Sequence, residues 1–162
     1  GIDKLFTICP KEGMPGERAF LIPGKLVEYQ MGGEAGTLLP FSITGDGDYL
    51  ARGTVLENGL KSATASGTAW ELGQVESNQK IYAGLHVFEV KGNSPTLDLV
   101  IQSDDVQVFG SPLDRVIFPR ITAPGGCWAA IECPTANTWW RASWTIGGTA
   151  VSLKIMVTLA IQ

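Results

Sequence analysis

The chain has one histidine, His86, and three cysteines among its 162 residues. These shortages exclude whole classes of chemistry. Three cysteines cannot make a disulfide framework of the kind that staples small secreted domains. Cys127 and Cys133 fall six positions apart on one expected strand, roughly 20 Å at ~3.3 Å per residue, too far to bridge each other. With Cys9 distant and no metal-ligand spacing, all three read as small buried side chains in a reduced setting.

Charge is also scarce: 17% of residues are charged, and the 12 Lys+Arg against 16 Asp+Glu leave a formal charge of −4. No expected strand carries a row of basic residues, so phosphate contacts to a nucleic acid have little to build on. No apolar run is long enough to span a bilayer and no charged-then-apolar leader is present, so the expectation is a soluble chain made in the cytoplasm, without membrane anchor or signal peptide. No glycine-rich phosphate loop stands between a strand and a helix, so no cofactor is expected.

What the chain does have is alternation. Val151, Leu153, Ile155, Val157, Leu159 and Ile161 occupy every second position at the C-terminal end, with Ser152, Lys154, Met156, Thr158 and Ala160 between them. Successive side chains of a strand point to opposite sides, so the six aliphatics face one core and the others are expected near water. Burying each aliphatic is worth roughly 1.5–3 kcal/mol, while ordering each residue costs about 1–2 kcal/mol, so such a strand needs an opposing sheet.

Twenty glycines and nine prolines fall between alternating runs, which favours short strands joined by tight turns. The first part reads as extended segments at 5–8, 10–16, 19–22, 26–31, 38–44 and 49–56. They are punctuated by Pro23-Gly24, Gly32-Gly33, the 45–48 stretch and Asn58-Gly59. Eight strands follow, at 65–72, 80–90, 96–103, 106–109, 114–122, 127–133, 138–146 and 150–161, with the connections at 92–95 and Gly147-Gly148 read as reversals. The predicted fold is all-β: an antiparallel, jelly-roll-like sandwich over 59–162, preceded by a β-rich segment over 1–58. The similar stretches 64–69 and 145–150 are recurrent turn usage, since a repeat architecture needs several units at a fixed period.

Candidate chemistry is thin. His86 lies in an alternating strand between Leu85 and Val87, and Ser103, Ser111 and Ser143 sit in no recognisable nucleophile setting, so it reads as an ordinary sheet histidine. Carboxylates occur as Asp46 and Asp48 in a glycine turn, as Asp104-Asp105, and singly as Asp98, Asp114 and Glu132. Glycoside hydrolysis needs two carboxyls about 5–10 Å apart, and no cleft to hold such a pair can be read from spacing. The 46–48 pair offers too few oxygens for the calcium-loop pattern, so no metal site is expected there. The aromatic run Trp139-Trp140…Trp144 is the most suggestive surface. Alternation sends Trp140, Ala142 and Trp144 to one side and Trp139, Arg141 and Ser143 to the other. Trp139 and Arg141, with Trp128, are the candidate platform for a protein interface or a glycan.

The stretches Leu85-His86-Val87, Ser94-Pro95-Thr96-Leu97-Asp98, Ile101-Gln102-Ser103-Asp104-Asp105, Phe109-Gly110-Ser111-Pro112 and Asp114-Arg115-Val116-Ile117-Phe118 resemble a domain of virion proteins of tailed bacteriophages. Thr138-Trp139-Trp140-Arg141, Ser143 to Thr149 and the final strand resemble that domain's closing hairpin, so the likeness covers about residues 50–162. Residues 1–56, including Gly16-Glu17-Arg18-Ala19 and Arg52-Gly53-Thr54-Val55-Leu56, look like the later part of a tail-tube-like domain, whose early strands this chain lacks. The resemblance implies a non-enzymatic structural protein of the virion, made in the host cytoplasm, in the tail tube or on the tail surface. Its partners would be copies of itself and other virion proteins. A capsid decoration (cement) protein is the alternative of the same class. A carbohydrate-binding module using Trp139, Arg141 and Trp128 is the alternative of another class, and an esterase or glycosidase stands behind both.

Overall fold

The computed structural model describes residues 4–31, 41–46 and 50–162. Among them there is no helix. Ten strands follow in order: β1 (Lys4–Ile8), β2 (Arg18–Met31), β3 (Phe41–Asp46), β4 (Ala51–Lys61), β5 (Ala65–Ser66), β6 (Trp70–Glu71), β7 (Ile81–Asp104), β8 (Leu113–Ile117), β9 (Gly125–Ile131) and β10 (Trp139–Ile161). All pairings between them are antiparallel.

The organising feature is a ribbon of two long strands. β7 and β10 pair from Trp139↔Asp104 at one extreme to Ile161↔Ile81 at the other. The stretches 92–95 and 147–148, expected as reversals, instead lie inside these strands as facing irregularities. Gly92 and Gly148 take φ of 118° and 107°, and Ser94 and Ala150 take 50° and 53°. A Cβ on Gly148 would stand 2.6 Å from the Ser94 carbonyl oxygen, so the two strands approach too closely there for any side chain. The closing hairpin expected over 138–161 is therefore one bent strand.

The bend turns the ribbon back on itself. Leu97, Leu99 and Ile101 with Trp140, Ala142 and Trp144 on one half, and Ile81, Leu85 and Val87 with Leu153, Ile155 and Leu159 on the other, form one buried cluster. In β10 the inward positions change from even to odd across the irregularity, which is how both halves aim at the same core. The result is sandwich-like. One layer runs β1-β2-β4-β10-β7-β9, and the other sets β5 and β6, then β10, β7 and β8 side by side.

Against expectation, three of the five alternate residues of the last strand are not near water, while Lys154 is exposed as expected and Ser152 is half-buried. Met156, Thr158 and Ala160 are buried along with their inward neighbours. Met156 and Ala160 join Ala19, Leu21, Ala51 and Val55 in a second, smaller core, against which Leu5, Cys9 and Tyr82 also pack. The β1–β2 pair thus covers the side of the ribbon turned away from the main core. In β4 a register shift leaves Leu56 unpaired between Val55 and Glu57, so Leu56 enters the main core while Val55 enters the second. The boundary expected at 58/59 falls within β4, and Asn58-Gly59, expected as a turn, lies in that strand opposite Met156 and Ile155.

Other expected strands differ locally. The 10–16 segment is a run of turns, with Glu12 and Gly13 at positive φ. Pro23-Gly24 lies within β2. The 106–109 stretch is a turn, for a reason given below. Residues 32–40 and 47–49, which include part of the expected 38–44 strand and Asp48, lie outside the described residues.

Candidate functional site

Strand alternation divides the tryptophans of β10 as expected. Trp140 and Trp144 enter the core, where each indole N–H finds a backbone carbonyl: Trp140 Nε1 donates to Gly73 at 2.8 Å and Trp144 Nε1 to Ala63 at 3.0 Å. A third indole, Trp70 Nε1, donates to Leu56 at 3.1 Å. Buried indoles need such acceptors; the two from β10 tie the segments flanking β5 and β6 onto the ribbon, and the Trp70 bond ties β6 to β4.

Trp139 and Arg141 lie on the opposite side of the same half-ribbon. Arg141 is already engaged. Its Nε donates to Gln102 Oε1 at 3.0 Å, its guanidinium lies 4.1 Å from the centre of the Phe109 ring, and Gln102 in turn donates to Asp114 at 2.8 Å. This polar line crosses β10, β7 and β8. Phe109 reaches it from a loop fixed by Asp104, whose carboxylate accepts from the backbone N–H of Val106 at 3.2 Å and of Ser111 at 2.9 Å. Those bonds close 105–111 into a compact turn and explain why 106–109 is not a strand. Burial works to raise the Asp104 pKa, but the Ser111 N–H, the Asp105 side chain and the Val106 N–H together hold it below the ordinary aspartate value.

Trp128 is elsewhere. It lies opposite Gly84 on β9, with Cys127 and Ala129 on the core side, so it points outward from the first layer while Trp139 and Arg141 point outward from the second. The three residues do not form one platform.

His86 sits on the covered side of the ribbon. Its Nε2 is 2.8 Å from Thr7 Oγ1 of β1, and its ring stacks on Phe88 with centroids 5.9 Å apart and planes at 9°. Burial lowers its pKa from the ordinary 6.5. The serines weighed as partners have other neighbours. Ser103 Oγ accepts from Arg115 Nε at 2.7 Å and Asn137 Nδ2 at 3.0 Å, and Ser143 pairs with Ser66 at 3.0 Å. Asp98 forms a two-point ion pair with Arg120, both contacts at 2.8 Å, which lowers its pKa. The three cysteines are unpaired and half-buried, and burial raises the thiols of Cys9 and Cys127. Among the described residues no group of three His, Cys, Asp or Glu could hold a metal ion.

Two arrangements escaped the sequence because they join distant segments. At one end of the sandwich Arg115 spans Ser103, Cys133 and Thr135, with Nη2 donating to Thr135 Oγ1 at 2.8 Å. Beside β2 and β4, Arg18 and Arg52 border a cleft of about 740 Å³. The only sequence signal for the cleft was Arg18-x-Phe20 and Arg52-x-Thr54 at strand spacing, and register alone brings the two pairs together.

The second layer ends at β8. Among the described residues no strand pairs with its outer side. Leu113 and Ile117 on this strand are exposed, Ile117 at 72%, and the preceding turn exposes Val106 and Val108, the latter at 83%. Both charged side chains of β8 are occupied within the molecule, Asp114 by Gln102 and Arg115 by Ser103 and Thr135.

No protein-family model matches this chain, and no curated protein proves similar to it.

Proposed function

We propose that the chain is a non-enzymatic structural component of a tailed-phage virion, a tail-tube or tail-surface protein that assembles through repeated contacts between its own copies. The observation that carries this reading is the open β8 edge. A sheet edge presents unpaired N–H and C=O groups that template another strand, and proteins that stay apart blunt such edges with projecting charges. Here Asp114 and Arg115 are turned onto partners in their own molecule, and Leu113, Ile117, Val106 and Val108 stand exposed within one short stretch. Scattered exposed aliphatics are ordinary, but four so close in sequence beside an unpaired edge favour a contact surface. The resemblance of residues 50–162 to a phage virion domain supports the same class of function, and a capsid decoration role would use the same edge.

Sedimentation velocity over a range of concentrations tests the proposal. The wild-type chain is expected to form defined oligomers, and Ile117→Lys, a change at an exposed site, is expected to leave a folded monomer. A wild-type chain that remains monomeric at every concentration overturns it. Glycan binding is the competing reading for Trp139 and Arg141. It is disfavoured by the engagement of Arg141 with Phe109 and Gln102, and by the placement of Trp128 on the other layer. Saturable glycan binding lost in Trp139→Ala would favour it instead.

A further inference from the structure

On β2 and β4 the residues Ala19, Leu21, Ala51 and Val55 enter the second core, so Arg18, Phe20, Arg52 and Thr54 share the other side of these strands. Register sets Arg18 directly opposite Thr54 and Phe20 directly opposite Arg52. The two arginines are therefore diagonal neighbours across the strand pair, about 7–8 Å apart at that spacing. The cleft of about 740 Å³ opens beside them, with Lys11, Glu17 and Gln162 also at its walls.

The charges there are unequally matched. Lys11 is paired with Glu17 at 3.1 Å. Among the described residues Arg18 and Arg52 have no carboxylate partner, although the chain carries 16 acidic residues against 12 basic ones. Like charges across a strand pair repel, and two planar guanidinium forks within reach of one point match the oxygens of a single anion. The backbone beneath is held firmly: a Cβ on Gly53, between Arg52 and Thr54, would lie 2.1 Å from the Leu159 carbonyl oxygen, so β4 is pressed against β10 at this point. A rigid support limits the entropy lost when a ligand orders the two side chains.

We propose that this cleft binds a ligand through a carboxylate or phosphate group held between Arg18 and Arg52. The Thr54 hydroxyl adds a donor, and Phe20 offers an apolar floor for the body of the ligand.

Calorimetric titration of the full chain at fixed ionic strength tests this, with inorganic phosphate, glucuronate, and glucose as the uncharged control. Saturable binding of phosphate or glucuronate and none of glucose is expected, and whichever anion binds more tightly identifies the group recognised. Arg18→Gln and Arg52→Gln should each weaken binding about tenfold, the scale of losing one charge-assisted contact. In anion-free, low-salt buffer the same variants should match or exceed the wild-type Tm, because they relieve repulsion. No saturable response to either anion, undiminished affinity in both variants, or a lowered Tm that marks the arginines as structural would each overturn the proposal.

Discussion

At the scale of single residues, the covered side of the ribbon is the most sensitive region. Gly53 has no room for a side chain, since the first added carbon would overlap the Leu159 carbonyl. Gly53→Ala should therefore force β4 away from β10 and lower stability by about 1–3 kcal/mol or more, read as a lower urea midpoint. His86 gives the second residue-scale prediction. Its folded-state pKa is lowered by burial, so the folded chain holds fewer protons than the unfolded chain near this group. Stability from a neutral His86 is present above the ordinary value of 6.5 and is lost as pH falls through the lower folded value. Thermal melts at pH 7 and pH 5 should accordingly differ less in His86→Gln than in wild type, and parallel curves would contradict the assignment. The sequence placed His86 correctly in an alternating strand. It could not disclose Thr7 above it, because a contact across 79 positions depends on how β1 folds over the ribbon.

At the scale of elements, alternation located most strands, but glycine and proline were poor guides to where they end. The segments 92–95 and 147–148 carry the residues of a reversal, yet each strand bends there and continues, because residues that permit positive φ serve a bulge as well as a turn. Asn58-Gly59 and Pro23-Gly24 repeat the lesson inside β4 and β2. The converse error lies at 106–109, where an alternating run folds as a turn because Asp104 captures the backbone N–H groups of Val106 and Ser111. The bend is testable directly. Gly148→Val would place a branched side chain at φ 107° against the carbonyls of Asn93 and Ser94, so it should lower stability by about 1–3 kcal/mol or more. Gly110→Ala, at a glycine with open space around it, should change the Tm little and serves as the control.

At the scale of the whole molecule, two cores of different size share one strand. From Ile155 to Ala160 every residue of β10 is buried, the odd positions in the large cluster and Met156 and Ala160 in the small one. A core of six buried residues has less apolar area to hold it than the main cluster, so the β1–β2 pair should open before the sandwich does. Leu21→Ala, which removes a fully buried side chain from the small core, is expected to cost about 2–5 kcal/mol. It should speed amide exchange in β1 and β2 ahead of β7 and β10, and equal acceleration in all four strands would contradict this order. The second core was hidden in the sequence because Met156, Thr158 and Ala160 alternate as the solvent side of a strand would. Only the return of residues 5–21 over that side buries them.

The assembly reading stands on the β8 edge, and amide exchange of residues 113–117 at low and high protein concentration examines it most directly. If copies pair along this edge, the exchange of those amides slows as concentration rises, while Ile117→Lys keeps them fast throughout. Rapid exchange of β8 at every concentration, in a chain whose β7 and β10 amides remain protected, would contradict the account.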